Sequence, residues 1–312
     1  MRCTLAWWLV LGAIAACGND HAADLLDAAP PSDGPGLTDI RLPIPAPDPK
    51  YIDLVTPEVV IQPGEERMYC YHLQNDAGDM AIGAAFGSQG GIGSHHIALF
   101  ATSDPRPAGT LEDCTSPQAN AKLQWFILFL GGLPPGHGIR IPQGMHYVLQ
   151  FHYINSTDFP LLVRDVARLE RVDPASVTTW VSTLISTKID LDLPPGRTTV
   201  SWDCTMDQDR DLLVVVGHMH EIGARFTIDI GPTASELTNL YTADPWQGWF
   251  RDNPPVKFFY EQPIRLAKGS VLRTTCEWVN TGTRPVGFPA EMCTTFAYAA
   301  GAQQLLQCEP SN

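Results

Sequence analysis

The run VVVGHMHEIG, residues 214–223, closes an apolar, β-branched stretch with two histidines two positions apart. Val214, Val215 and Val216 read as a buried strand. On a strand, side chains at i and i+2 point to the same side. His218 and His220 can therefore aim at one point, and Met219 between them faces away. Two imidazoles converging at a strand end are the beginning of a metal site.

The chain has nine histidines, unevenly placed. SHHIALF carries His95 and His96, and HYVLQFHY carries His146 and His152. Neighbours on a regular strand point to opposite faces. For His95 and His96 to share an ion, the backbone must bend there or the rings must use different nitrogens. Gly91 and Gly93, just upstream, permit a bulge or sharp turn. The third donor of that site is His152 or His146. His152 shares a strand face with Val148 and Gln150, whereas His146 sits at the strand entrance beside a turn, so His152 is the expected ligand.

The His218/His220 pair also needs a third donor. Met292, in PAEMCTTF, precedes a cysteine that a disulfide would hold rigidly. Two imidazoles and a thioether suit copper and accommodate Cu(I), whereas zinc rarely takes a thioether.

The elements that must position these residues read as β-structure. EERMYCYHLQ, SHHIALFAT, MHYVLQFHYIN, LLVRDVARLE, RTTVSWDC, DLLVVVGHMH, ARFTIDIG, VKFFYEQPIRL, SVLRTTCEWVN and CTTFAYAA are strand candidates. They are short, rich in Val, Ile, Thr and aromatics, and punctuated by Gly, Pro and Asp. PTASELTNLY is the one short helix candidate. Such a pattern predicts antiparallel sandwiches. A length of 312 residues suits two domains. The expected division is a first sandwich over 51–172 and a second over 173–312, with the boundary at RVDPASVTT.

The N-terminus reads as an export signal. Arg2 precedes the apolar segment TLAWWLVLGAIAA, residues 4–16, which is too short to span a bilayer. It ends in IAAC, which resembles the bacterial lipobox, so residues 1–17 form a signal peptide and Cys17 is the expected lipidation site. Residues 18–50, rich in Ala, Asp, Pro and Gly, read as a disordered spacer. The formal net charge of −14 argues against nucleic acid and against electrostatic adhesion to anionic lipid. Membrane attachment is therefore expected through the lipid alone. Cys70, Cys114, Cys204, Cys276, Cys293 and Cys308 remain after Cys3 and Cys17 are set aside. An even number in an exported chain points to disulfides. Cys70 and Cys114 lie alone in the first half and are expected to pair, leaving the other four to pair among themselves.

SHHIALF, YVLQFHY, GHMHEIG and EMC, in this order and inside this cysteine frame, resemble the copper type II, ascorbate-dependent monooxygenases, the family of the peptidylglycine and dopamine hydroxylases. The resemblance spans about residues 50–310. It implies two β-sandwich, jelly-roll-like domains with one copper on each, facing across a solvent-filled cleft. It implies that His95, His96 and His152 hold the electron-supplying copper. His218, His220 and Met292 would hold the copper that takes up O2 and hydroxylates substrate. It also implies the pairings Cys70–Cys114, Cys204–Cys308 and Cys276–Cys293. The expected co-substrates are O2, an ascorbate-type reductant and a small molecule with a reactive C–H bond, acted on by a monomeric chain.

One departure matters. Where the peptide-hydroxylating member carries an arginine, an asparagine and a tyrosine that clamp a substrate carboxylate, this chain has Val216, Thr294 and Phe296. A peptidylglycine substrate is not expected, and the pocket lip is more apolar. The alternative reading is a periplasmic copper-binding, copper-storing lipoprotein without turnover.

Overall fold

In a computed structural model, residues 36–288, 290–301 and 304–308 are described. Cys17 and the signal segment lie outside them. Almost every described element is a strand, as the short β-branched runs predict.

The first half pairs two sheets. A five-stranded sheet runs Leu111–Asp113, Glu66–Gln74, His146–Ile154, Ser94–Thr102, Leu123–Ile127. It faces strands Tyr51–Val55, Val166–Val172, Met80–Ser88 and His137–Ile141 of a longer sheet. Alternation decides what each face does. Along His146–Ile154, Tyr147 and Leu149 join Leu99, Ile82 and Ile139 in the core. Val148 on the opposite face joins Ala98, Phe100 and the Cys70–Cys114 pair.

The longer sheet does not stop at the expected boundary. His137–Ile141 pairs in parallel with Thr179–Lys188, at His137↔Thr179 and Gly138↔Trp180. Beyond that join the sheet continues through Cys293–Ala300 and Arg210–His218 to Val256–Phe258. A four-stranded antiparallel sheet, Gly196–Thr205, Val271–Asn280, Gly223–Gly231, Thr238–Ala243, covers one face of this second part. Leu212, Val215 and Ala297 pack there against Phe226, Leu272 and Trp278. On the other face Val214, Val216, Phe296 and Tyr298 join the core that holds Ile82 and Leu149 of the first half. The apolar run LLVVV is thus buried on both sides, which is why it lacks a polar alternation. From Leu37 onward the described residues form a single compact unit, two sandwiches sharing one sheet.

Three disulfides are present: Cys70–Cys114, Cys204–Cys308 and Cys276–Cys293. They accord with export to an oxidising compartment. None of the described helices is long and apolar enough to cross a membrane.

Two expectations are corrected. PTASELTNLY contains no helix; its C-terminal part is the start of strand Thr238–Ala243, pairing with Gly223–Gly231. The spacer assigned to residues 18–50 is not disordered throughout. Thr38–Asp39 pairs in parallel with Leu161–Leu162, and the Leu42 carbonyl accepts two bonds from the Arg164 guanidinium. Backbone pairing and a charged hydrogen bond offset the ordering entropy that composition alone suggested would win.

Candidate metal centre

Strands His146–Ile154 and Ser94–Thr102 pair with His152 opposite His96 and Gln150 opposite Ala98. Directly opposed residues share a face, so His96 and His152 project together. The next pair is Tyr153↔Ser94, a register shift that leaves His95 as an extra residue. This β-bulge lets adjacent histidines reach one site. Gly91 and Gly93, with φ of 59° and 70°, lead the chain into it. One ring nitrogen each from His95, His96 and His152 lies within 4.8 Å of the other two. His146 begins the same strand six residues earlier, about 20 Å away at the usual strand rise, and is not part of this group.

His218 ends strand Arg210–His218 and His220 follows in the turn. Their rings lie 5.1 Å apart, centroid to centroid. Met292 and His218 line the same cavity, together with His95 and His96. The cavity measures about 1110 Å³. The two groups are not held apart by a wide solvent gap: the His95 and His220 rings stand 5.0 Å apart, edge to face. Five imidazoles from two sandwiches form one continuous cluster.

Several rings are held through one nitrogen by a protein group. His96 Nε2 bonds Gln150 Oε1 at 3.0 Å. His152 Nε2 bonds Glu66 Oε1 at 3.0 Å. His220 Nδ1 donates to the Ala290 carbonyl at 3.1 Å. The opposite nitrogens, His152 Nδ1 and His220 Nε2, are buried with no hydrogen-bond partner, as is His95 Nδ1. Buried polar atoms are rarely left so. An imidazole fixed through one nitrogen with the other bare is the form in which histidine binds a metal. Burial pushes all five imidazoles below their ordinary range, with His220 brought to about 4. They are neutral at pH 7 and able to donate lone pairs. The residues present fit a metal ion.

Sequence reasoning missed the supporting residues. Gln150 also donates to Asn120 Oδ1 at 2.8 Å, which fixes the amide that holds His96. Glu291, next to Met292, is buried. Its carboxylate accepts from the His220 and Ile222 amides and from Trp278 Nε1, each at 3.0 Å. Trp125 stands 6.4 Å from His96 and 4.6 Å from Phe296, which in turn lies 6.0 Å from His218. Alternation put Gln150 on the His152 face but gave no hint that it holds His96, and the roles of Glu291, Asn120 and Trp125 depend on contacts between different elements.

Beside His218 lie two apolar side chains of the cavity, Val216 and Phe296. Val216 pairs with Phe296, and Phe296 with Ile185. Thr294 sits opposite His218 and bonds Thr187 Oγ1 at 2.7 Å.

No family model and no curated protein matches the chain. Among solved structures it is similar to PNGase F, a glycosylasparaginase from Flavobacterium meningosepticum. The identity is 10% and the TM-score 0.32, over 82% of this chain and 97% of that one. It is also similar to a structure of the Gx strain of infectious bursal disease virus, at 10% identity and TM-score 0.22, over 83% and 74%. The VP2 subviral particle of that virus gives 12% identity and TM-score 0.21, over 83% and 74%. At these scores the likenesses carry no argument about activity.

Proposed function

We propose that the chain is an exported, copper-dependent monooxygenase that hydroxylates a C–H bond of an apolar small molecule, using O2 and an ascorbate-type reductant. The observation that carries this reading is the continuous cluster of five neutral imidazoles, three of them with a bare, buried ring nitrogen, of which His95, His96 and His218 line one cavity with Met292. Copper would be held by His95, His96 and His152, and by His218, His220 and Met292, one ion per trio. Bound copper would supply the one-electron steps and the O2 activation that side chains cannot perform.

The chain's own residues have separable tasks. Glu66, Gln150 and the Ala290 carbonyl orient three imidazoles and hold the proton on the nitrogen away from the site. The thioether of Met292 is a soft donor, which favours Cu(I) in the second trio over the all-nitrogen first trio. Val216, Phe296 and Trp125 keep water from the substrate side and favour an uncharged ligand. Val216 offers a carboxylate no partner; the cation that lines the cavity among the described residues is Arg251, already paired with Asp252 and Glu221. The exported location is completed, in this proposal, by a lipid on Cys17.

The test is a single-turnover assay on the ascorbate-reduced, copper-loaded protein with isotopically labelled O2 and a panel of apolar substrates. Label should enter product. Met292→Ile should abolish insertion while the first trio keeps its copper and still accepts an electron. A wild type that binds copper but labels no compound would instead mark the protein as a copper store. Met292→Ile as active as wild type would refute this methionine as a ligand.

A further inference from the structure

We infer that Trp246 is a positioning residue for His220: its indole N–H, bonded to the His220 carbonyl, fixes the direction in which that imidazole presents its bare nitrogen. That role rests on the metal reading above and belongs to a residue that the histidine motifs do not contain.

The two histidines of the HxH pair are held in different ways. His218 is the last residue of strand Arg210–His218 and pairs with Thr294 across the ladder. His220 lies beyond that strand, so the ladder does not set its backbone. Its orientation depends on hydrogen bonds from other segments. The His220 amide donates to Glu291 Oε2 at 3.0 Å, and Nδ1 donates to the Ala290 carbonyl at 3.1 Å. Both acceptors belong to the segment that leads into Met292. Trp246 comes from a different segment, just after strand Thr238–Ala243. Its Nε1 donates to the His220 carbonyl at 2.9 Å, and its backbone N–H donates to the Ala224 carbonyl at 2.8 Å. One residue thus staples the turn at both ends, from His220 to Ala224. Without that staple the His220 backbone is anchored from the Met292 segment alone and can pivot about those bonds.

The local sequence leaves room for the indole. A Cβ on Gly223 would come within 2.6 Å of Trp246 Cδ1 and 3.0 Å of its Nε1. A glycine at this point of the turn lets the ring lie against the backbone. Trp246 is itself buried, with the Phe226 and Phe250 rings at centroid distances of 6.2 and 5.3 Å. A phenylalanine could supply the apolar packing, but only a donor satisfies the His220 carbonyl. The consequence reaches the metal site through His220 Nε2, which is buried and bare. A ligating group works only within about 0.5 Å and 10–20° of its productive geometry, and the backbone that Trp246 holds carries the ring.

The test uses the purified full-length chain, wild type and the variants Trp246→Phe and Gly223→Ala, labelled with nitrogen-15 in histidine. The first variant keeps an aromatic ring and removes the donor. The second keeps the donor and pushes it off the turn. In metal-free protein, both should shift the ring-nitrogen signals of His220 and speed exchange of its Nδ1 proton, which the Ala290 bond protects. The signals of His96 and His152, held by Gln150 and Glu66, should stay in place. On copper titration the second trio should bind roughly tenfold more weakly, with a changed Cu(II) spectrum, while the first trio keeps its affinity. A purely structural role would lower the unfolding midpoint and leave the His220 signals and the copper affinity unchanged, and that result would overturn the inference. Signals displaced throughout either variant would mark misfolding. The tryptophan analogue with sulfur in place of the indole N–H, installed at position 246, then repeats the comparison at unchanged ring shape. If the wild type takes up no copper, the proposed function fails, and the metal-free signals still decide the role of Trp246.

Discussion

His95 and His220 come from different sandwiches, and their rings meet edge to face at 5.0 Å. Motif spacing assigns them to different ions, but contact in the fold couples them. Residues in contact do not behave additively on mutation. His220→Ala should therefore do more than empty the second trio. It should also alter the Cu(II) spectrum of the His95, His96 and His152 site. Titration of copper against wild type and His220→Ala, read by paramagnetic resonance, checks this. A first-site signal identical in the two proteins would mean that the trios act independently.

Glu291 carries the position of Met292 and of the HxH turn together. Its buried carboxylate accepts the His220 and Ile222 amides and Trp278 Nε1. Burial pushes its carboxyl up even so. Glu291→Ala leaves two buried donors and one part-buried donor without an acceptor, at about 1–3 kcal/mol for each buried one where nothing replaces it. A loss of at least ~2 kcal/mol in denaturant unfolding is expected, with weakened copper binding at the second trio. Glu291→Gln retains one acceptor oxygen and should lose less. A Glu291→Ala variant as stable as wild type would show that solvent or a shift of the turn satisfies these donors.

The strands that bear ligands were legible because their chemistry is local. Alternation placed His152 with Gln150, and the glycines before His95 pointed to the bulge that the register shift at Ser94 and His96 now explains. The strands Met80–Ser88 and Thr179–Lys188 were not singled out. The first is MAIGAAFGS, whose small residues carry little β-preference. The second is TWVSTLISTK, whose serines and threonines blur the alternation. Yet these two lie on either side of the join that makes one sheet of two sandwiches. The contact of His95 with His220 was equally out of reach, because it depends on that join.

Cys17 lies outside the described residues, so the lipid anchor is tested in the cell. Cys17→Ser should move the protein from the membrane fraction to the soluble exported fraction, or leave its signal uncleaved. Membrane fractionation unchanged by the substitution would contradict the lipobox reading.

Asp165 gives the protein a pH dependence that does not involve the histidines. Its side chain is fully buried. Tyr153 Oη donates to one carboxylate oxygen and Gln89 Nε2 to the other at 3.1 Å. These bonds favour the charged form, but burial outweighs them and lifts the carboxyl to about 6 from an ordinary 3.8. The sign follows from linkage. Between pH 4 and 6 the folded chain holds a proton on Asp165 that the unfolded chain has released. The stabilisation is fully present below the unfolded value and is lost as pH rises through 6. A shift of this size corresponds to something on the order of 2–3 kcal/mol. Asp165→Asn cannot titrate, so the other groups cancel when the two proteins are compared. Wild type should lose stability relative to Asp165→Asn between pH 4 and pH 7, measured by denaturant unfolding at several pH values. Should the variant fail to fold, the carboxyl of Asp165 can be titrated directly in wild type by carbon-13 resonance, with a midpoint expected near 6. A stability difference that stays flat across this range, or a midpoint near 4, would show that the hydrogen bonds from Tyr153 and Gln89 prevail over burial.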